Sequence, residues 1–170
     1  TDNVGGLFGS LVNPVDPTKL FVRSGSIVLN GSLEDASAGG WVGSYFPSNG
    51  GAPSLSYSGF QGIIDIVREA QISVNVGGLI GELGNPSGTQ RIESSFAKAS
   101  IRALIDAAPM GGLVGSEESL VEVAQSYSSV MFHDPGLSDT PRSAYPLSFS
   151  EAGSSAPTLT ESFVDISVHD

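Results

Sequence analysis

The feature that most constrains this chain is a seven-residue glycine phrase that returns four times. Its copies are Val4-Gly-Gly-Leu-Phe-Gly-Ser10, Ala38-Gly-Gly-Trp-Val-Gly-Ser44, Val76-Gly-Gly-Leu-Ile-Gly-Glu82 and Met110-Gly-Gly-Leu-Val-Gly-Ser116. The second glycine stands at positions 6, 40, 78 and 112, so the intervals are 34, 38 and 34 residues. Self-similarity at a period of about 20 to 50 residues is typical of solenoids and other repeat architectures.

A second, looser phrase follows each glycine phrase and predicts a strand. It alternates apolar and small polar residues at a period of two, as a half-buried strand does, and its copies begin at Phe21, Leu55, Ile92, Val123 and Leu159. A third apolar stretch closes most repeats. The sequence therefore predicts an all-β fold, a β-solenoid of about five stacked coils with three short strands per coil.

The whole chain, 1–170, is predicted to be a single repeat domain, because one repeat cannot bury its apolar face alone. The repeats are expected to span about 4–37, 38–75, 76–109 and 110–132, with a degenerate copy at 146–168 and an inserted loop at 133–157. Such insertions often gather on a binding face. The candidate ligand loop contains His133, Asp134, Asp139, Arg142 and Tyr145.

The glycine phrases are expected to lie one above another along one edge of the solenoid. We expect each glycine pair to turn a corner at positive φ, and the third glycine to let neighbouring backbones approach closely. These structural glycines are Gly5, Gly6, Gly9, Gly39, Gly40, Gly43, Gly77, Gly78, Gly81, Gly111, Gly112 and Gly115. One inward column is predicted at Leu7, Trp41, Leu79 and Leu113, and a second at Phe60, Phe96, Tyr127 and Phe163.

Two copies of the glycine phrase resemble a known repeat. Val76-Gly-Gly-Leu-Ile-Gly81 and Met110-Gly-Gly-Leu-Val-Gly115, followed by Ser-Ser-Phe and Ser-Tyr-Ser segments, resemble the GLUG motif of bacterial surface proteins. The resemblance covers about residues 4–132, with a degenerate extension to about 168; the copy that contains Trp41 departs from the pattern. It implies a β-helix-like stalk of an adhesin-type protein, secreted or displayed on the cell surface.

Composition excludes several classes of partner. Eighteen acidic and seven basic residues give a net charge of −11, which opposes binding to nucleic acid. The absence of cysteine removes disulfides, thiolate metal sites and cysteine nucleophiles. No apolar run approaches the roughly 18 residues of a membrane-spanning helix. Because the chain begins at Thr1, without an initiator Met or a signal segment, we expect a segment of a longer protein.

The sequence carries no catalytic signature, so we predict that the chain is not an enzyme and has no catalytic residues or cofactor. A Ser-His-Asp triad on His133 is conceivable, as is a carboxylate pair of Glu82 and Glu117 stacked in successive repeats. The Asp of calcium-binding glycine repeats is missing, so no metal site is predicted, although acidic loops could bind calcium adventitiously.

Two functions follow from these observations. The first is a non-catalytic structural or adhesive scaffold that presents loops for host or surface binding. Its partners would be neighbouring domains of the same polypeptide and a host or surface glycan or protein. The alternative, supported only by analogy among folds, is a carbohydrate-active or peptidase-associated β-solenoid module.

Overall fold

The computed structural model describes residues 3–12, 19–30, 36–46, 54–67, 74–84, 89–103, 110–117, 120–133, 144–145, 148–150 and 158–169. These residues form 19 strands, and no helix occurs among them. The strands join four sheets in which every neighbouring pair is parallel. Sheets A, B and D each take one strand from every repeat, and sheet C takes one from each repeat after the first, so strand order follows chain order.

The four sheets are named A to D in the order in which a repeat passes through them. Sheet A contains β1 (Asn3–Gly5), β4 (Ala36–Gly39), β8 (Val74–Gly77), β12 (Met110–Gly111) and β16 (Ala144–Tyr145). Sheet B contains β2 (Phe8–Val12), β5 (Val42–Phe46), β9 (Ile80–Leu83), β13 (Val114–Glu117) and β17 (Ser148–Ser150). Sheet C contains β6 (Ser54–Ser56), β10 (Gln90–Glu93), β14 (Val121–Ala124) and β18 (Thr158–Thr160). Sheet D contains β3 (Phe21–Asn30), β7 (Gly59–Val67), β11 (Phe96–Ala103), β15 (Tyr127–His133) and β19 (Phe163–His169).

The second, third, fourth and fifth repeats each contribute four strands, where three were predicted. The additional strand arises because the glycine phrase forms two strands and not one. A strand of sheet A ends at the first glycine, the chain bends over the next two residues, and a strand of sheet B begins after the Leu or Trp. The prediction that the second phrase is a single strand is also wrong in these repeats: a turn divides it between sheets C and D, and its second part begins the long strand of sheet D. The four strands of one repeat therefore belong to four separate parallel sheets.

The fifth repeat begins earlier than predicted. Strands β16 and β17 lie within 133–157, the span expected to be an inserted loop, and they extend sheets A and B. Ala144 pairs with Met110, and Tyr145 pairs with Gly111. This strand was missed because Tyr145 occupies the position where the other four repeats have glycine.

The core is built from residues that share a register position in successive repeats. In sheet D the central inward column consists of Ile27, Ile64, Ile101 and Phe132, all buried. In sheet C it consists of Leu55, Ile92 and Val123. Because equivalent residues pack on one another, each interior repeat buries its apolar side chains against the repeats on either side.

Glycine allows sheets A and B to pack against each other at very short range. A Cβ atom on Gly81 would lie 2.5 Å from the carbonyl oxygen of Gly43 and 2.6 Å from the amide nitrogen of Ala38. A Cβ atom on Gly40 would overlap the ring of Phe60. Neither Gly40 nor Gly78 adopts a positive φ. The expectation that the glycine pairs turn a corner at positive φ is therefore wrong there; these positions require glycine because no space exists for a side chain.

Among the described residues, six non-glycine residues have a positive φ. One of them, Ser24 (φ 58°), lies at a β-bulge in β3, and the other five lie at the corner between sheets C and D. Their φ angles lie between 48° and 60°, at Lys19, Tyr57, Ser94, Gln125 and Glu161, one in each repeat. The amide of each of the first four donates to a carbonyl of the next repeat, at 3.0 to 3.2 Å. The left-handed conformation is disfavoured for L-residues by roughly 1–2 kcal/mol, so the stacked neighbours must stabilise this turn.

A ladder of serines completes the same corner. Ser58, Ser95, Ser126 and Ser162 follow the left-handed residues of the last four repeats. The hydroxyl of Ser95 accepts a hydrogen bond from the amide of Ser58 at 3.2 Å and donates to the carbonyl of Glu93 at 2.9 Å. The same pair of bonds recurs at Ser126 and Ser162. Each hydroxyl therefore joins two repeats and closes its own turn.

Candidate functional site

The predicted inward column of the glycine phrases is buried in three of its four positions. Trp41, Leu79 and Leu113 have no exposed surface, whereas Leu7 is 43% exposed. Leu7 lies between β1 and β2, which are edge strands of sheets A and B, so no described repeat covers it on that side. Leu7 is exposed because it lies at the end of the described stack, and not because its side chain differs from those of Leu79 and Leu113.

The predicted second column is wrong in register, except at Phe60. Phe60 pairs with Ala97 and is buried, whereas Phe96 pairs with Gly59. A shift of one residue places a side chain on the opposite face of a sheet. Accordingly Tyr127 and Phe163, which are in register with Phe96, lie on the outer face and are 41% and 63% exposed.

These outward aromatic residues form a ridge along one side of sheet D. The ring centroids of Phe96 and Tyr127 are 5.2 Å apart, and their planes differ by only 7°. The ring of Phe96 also stacks on Phe21, at 6.1 Å, although the strand that contains Gly59 lies between them. Gly59 leaves the space that Phe96 fills. The aromatic ridge thus consists of Phe21, Phe96, Tyr127 and Phe163.

A polar column runs beside the aromatic ridge, with one residue from each strand of sheet D. Its members, in strand order, are Arg23, Gln61, Lys98, Ser129 and Asp165. All are exposed except Ser129, which is half-buried. Four of them, together with Ser24, Ile63 and Met131, line a depression of about 430 Å³. The depression therefore combines hydroxyl, amide and charged groups with exposed apolar side chains.

An ion pair lies farther along the same face. The guanidinium of Arg102 donates two hydrogen bonds to the carboxylate of Asp65, from Nε to Oδ1 at 2.8 Å and from Nη2 to Oδ2. These hydrogen bonds, and the attraction between the charges, raise the pKa of Arg102 above its ordinary value. The two residues pair in register, and His133 is in register with Arg102 on the next strand.

The residues predicted for the ligand loop are divided among different places. His133 ends β15 in sheet D, and Tyr145 ends β16 in sheet A. Asp134, Asp139 and Arg142 lie outside the described residues. The two described residues of the predicted ligand loop, His133 and Tyr145, therefore lie in different sheets.

The two candidate carboxylates do not stack. Glu82 is in register with Ser116, whereas Glu117 is in register with Leu83. Glu82 is half-buried and accepts a hydrogen bond from the hydroxyl of Ser37 at 2.8 Å, which joins sheet A to sheet B. Glu117 is fully buried. Glu82 thus stabilises the packing of two sheets and has no carboxylate partner in its register column.

Sequence reasoning missed the outer face of sheet D. Copies of the second phrase that begin at Phe21 and Leu55 would place Gly25 beside Gly59, but Gly25 pairs with Gly62 and Phe21 pairs with Gly59. A β-bulge between Arg23 and Gly25 then shifts the register by one residue, so paired residues are 38 positions apart before the bulge and 37 after it. The signal that could have found the register is the Ser-Phe or Ser-Tyr pair at 95–96, 126–127 and 162–163.

Three further findings concern the class of protein. No group of three or more His, Cys, Asp or Glu residues suited to a metal ion occurs in the part of the chain that the structure describes. Among the same residues no helix is long and apolar enough to cross a membrane. No protein-family model, curated protein or solved structure matches the chain.

Proposed function

We propose that this chain is a β-solenoid of about five coils that acts as a non-catalytic extracellular scaffold, a segment of a larger bacterial surface protein. Its role is to hold exposed surfaces for binding to a host or to another surface. One observation carries the proposal: every sheet is built from equivalent strands of successive repeats, all parallel, and in sheet D an unbroken register joins β7, β11, β15 and β19. The resemblance to the GLUG repeat supports the bacterial surface location.

The contacts that recur from repeat to repeat are those that join neighbouring repeats. Glycine provides close contact between sheets A and B, and the serine ladder joins neighbouring repeats at the corner between sheets C and D. Such an architecture stabilises each repeat through its neighbours. Each column of residues that share a register position then presents one residue from each repeat on an extended surface. Such a surface suits a scaffold.

The first described repeat supports continuation of the stack in a larger protein. The carbonyl of Trp41 accepts hydrogen bonds from the amides of Leu7 and Phe8, at 3.0 and 3.3 Å, and the carbonyls of Leu79 and Leu113 accept the equivalent pair from the preceding repeat. A further repeat placed before β1 would satisfy the carbonyl of Leu7 in the same way. It would also cover the exposed side chain of Leu7.

A turnover assay tests the scaffold proposal against the enzymatic alternative. The chain is incubated with acidic and neutral polysaccharides and with a peptide library, and product release is followed by mass spectrometry. We expect no turnover. If products form, and if His133→Ala or Glu117→Gln abolishes their formation while the melting temperature is unchanged, the scaffold proposal is wrong.

A further inference from the structure

The outer face of sheet D differs in charge from the rest of the molecule. Its outward positions carry the cations Arg23, Lys98 and Arg102 and the carboxylates Asp65 and Asp165, whereas the chain has 18 acidic and seven basic residues. Arg102 is paired with Asp65. Within the described residues Arg23 and Lys98 form no ion pair, and both are exposed. Three cations and two carboxylates give this face a net charge of +1 on a chain of net charge −11, and this local excess of positive charge points to an anionic ligand.

The shape of the face favours a polysaccharide. Neighbouring strands are about 4.8 Å apart, so Arg23 and Lys98, separated by the strand of Gln61, lie roughly 10 Å apart across the sheet. A linear ligand that crosses the strands can meet both cations, the amide of Gln61 and the hydroxyl of Ser129. The apolar patches of sugar rings can contact Ile63, which is 51% exposed in the floor of the depression.

Other polyanions fit less well. Nucleic acid requires many cations along its phosphates, and this face has two unpaired cations on a chain of net charge −11. An extended peptide usually binds by adding a strand to a sheet edge, but β7, β11 and β15 are paired on both sides. The depression therefore suits a ligand that binds to the face of the sheet.

We propose that the outer face of sheet D binds a linear acidic polysaccharide whose carboxylates recur along the chain, with the sugar chain crossing the strands. Arg23 and Lys98 bind two of its carboxylates, and Gln61 and Ser129 hydrogen-bond to hydroxyls between them. Asp165, at the far end of the column, opposes binding by charge repulsion. This proposal rests on the scaffold function, and it names the class of ligand that the scaffold would bind.

The test uses octasaccharides of hyaluronan and of polygalacturonate, with their methyl esters as neutral counterparts, and measures binding by calorimetry. We expect the intact chain to bind at least one acidic octasaccharide and to bind its ester more weakly. Arg23→Gln and Lys98→Gln should each weaken binding roughly tenfold, because each removes a charge-assisted contact. Asp165→Asn should strengthen it by roughly two- to fivefold, because it removes a repulsive charge at an exposed site.

Arg91→Gln is the matched control. Arg91 is an exposed cation on sheet C whose charge is paired with Glu93, so its loss should leave binding unchanged and any general effect of net charge would appear there. Melting curves of all variants verify that the fold is intact. No binding of either acidic octasaccharide, equal binding of the esters, or preferential binding of a polyglutamate peptide would each overturn the inference. Absence of binding without turnover leaves the scaffold proposal intact, whereas turnover of a polysaccharide contradicts the scaffold proposal.

Discussion

Replacing Gly81 with alanine tests whether the glycine phrases are required for close packing between sheets A and B. The added Cβ would lie 2.5 Å from the carbonyl oxygen of Gly43 in sheet B and 2.6 Å from the amide nitrogen of Ala38 in sheet A. Ordinary contact begins at 3.4 Å, so backbone atoms of both sheets would have to move by about 0.9 Å. Because neither neighbour is a flexible side chain, a rotamer change cannot relieve the overlap.

The expected cost is about 3 kcal/mol, at the upper end of the range for overpacking a core. It would be reduced by roughly 0.4–1 kcal/mol, because alanine restricts the unfolded chain more than glycine does. The free energy of unfolding would be measured by urea titration, with Gly9→Ala as the matched control. Gly9 has the same place in the first repeat, but its Cβ would make one short contact, 2.6 Å from the carbonyl oxygen of Asn3. Because β1 and β2 are edge strands, we expect that variant to lose about 1 kcal/mol. An unchanged or increased stability of Gly81→Ala would refute the close-packing explanation.

Three further predictions concern the stability of the stack, each measured by denaturant titration. Leu79→Ala should lower the free energy of unfolding by about 2–5 kcal/mol, because Leu79 has no exposed surface. Leu7→Ala should lower it by about 1 kcal/mol, because Leu7 is 43% exposed. Equal losses would contradict the role of burial. Tyr57→Gly should stabilise the protein by up to about 1 kcal/mol, because the φ of 51° at this exposed residue suits glycine; a clear loss would show that the tyrosine ring stabilises the turn. Ser95→Ala should cost about 1–3 kcal/mol, because it leaves the buried amide of Ser58 without its acceptor; a loss below about 0.5 kcal/mol would exclude an energetic role for the serine ladder.

The repeat period and the apolar alternation together were enough to predict an all-β fold. The period of 34 to 38 residues places equivalent residues in equivalent environments, and alternation at a period of two indicates strands. The register within a repeat was not predictable from apolar alternation alone. Phe60 and Phe96 are both aromatic residues near a serine, yet one is buried and the other is on the outer face. A period of two determines two faces but does not determine which face is inside.

The chemistry of the turns was also beyond the sequence patterns. Positive φ is usually associated with glycine, but here it occurs at Lys19, Tyr57, Ser94, Gln125 and Glu161, which have nothing in common as residue types. The first four share the hydrogen bond that each amide donates to a carbonyl of the next repeat. Conversely, the candidate binding face depends on which strands lie side by side, and it therefore appears only after the register is known.

The in-register stacking of parallel strands has a mechanical consequence. A force applied along the direction in which strands succeed one another would pull the hydrogen bonds between repeats open one row at a time, because those bonds point along the force. An extended chain spans at most about 3.3–3.6 Å per residue, so each detached repeat of 34 residues would release a length on the order of 110 Å. A stack of this kind would yield in steps under load and lengthen greatly before it broke.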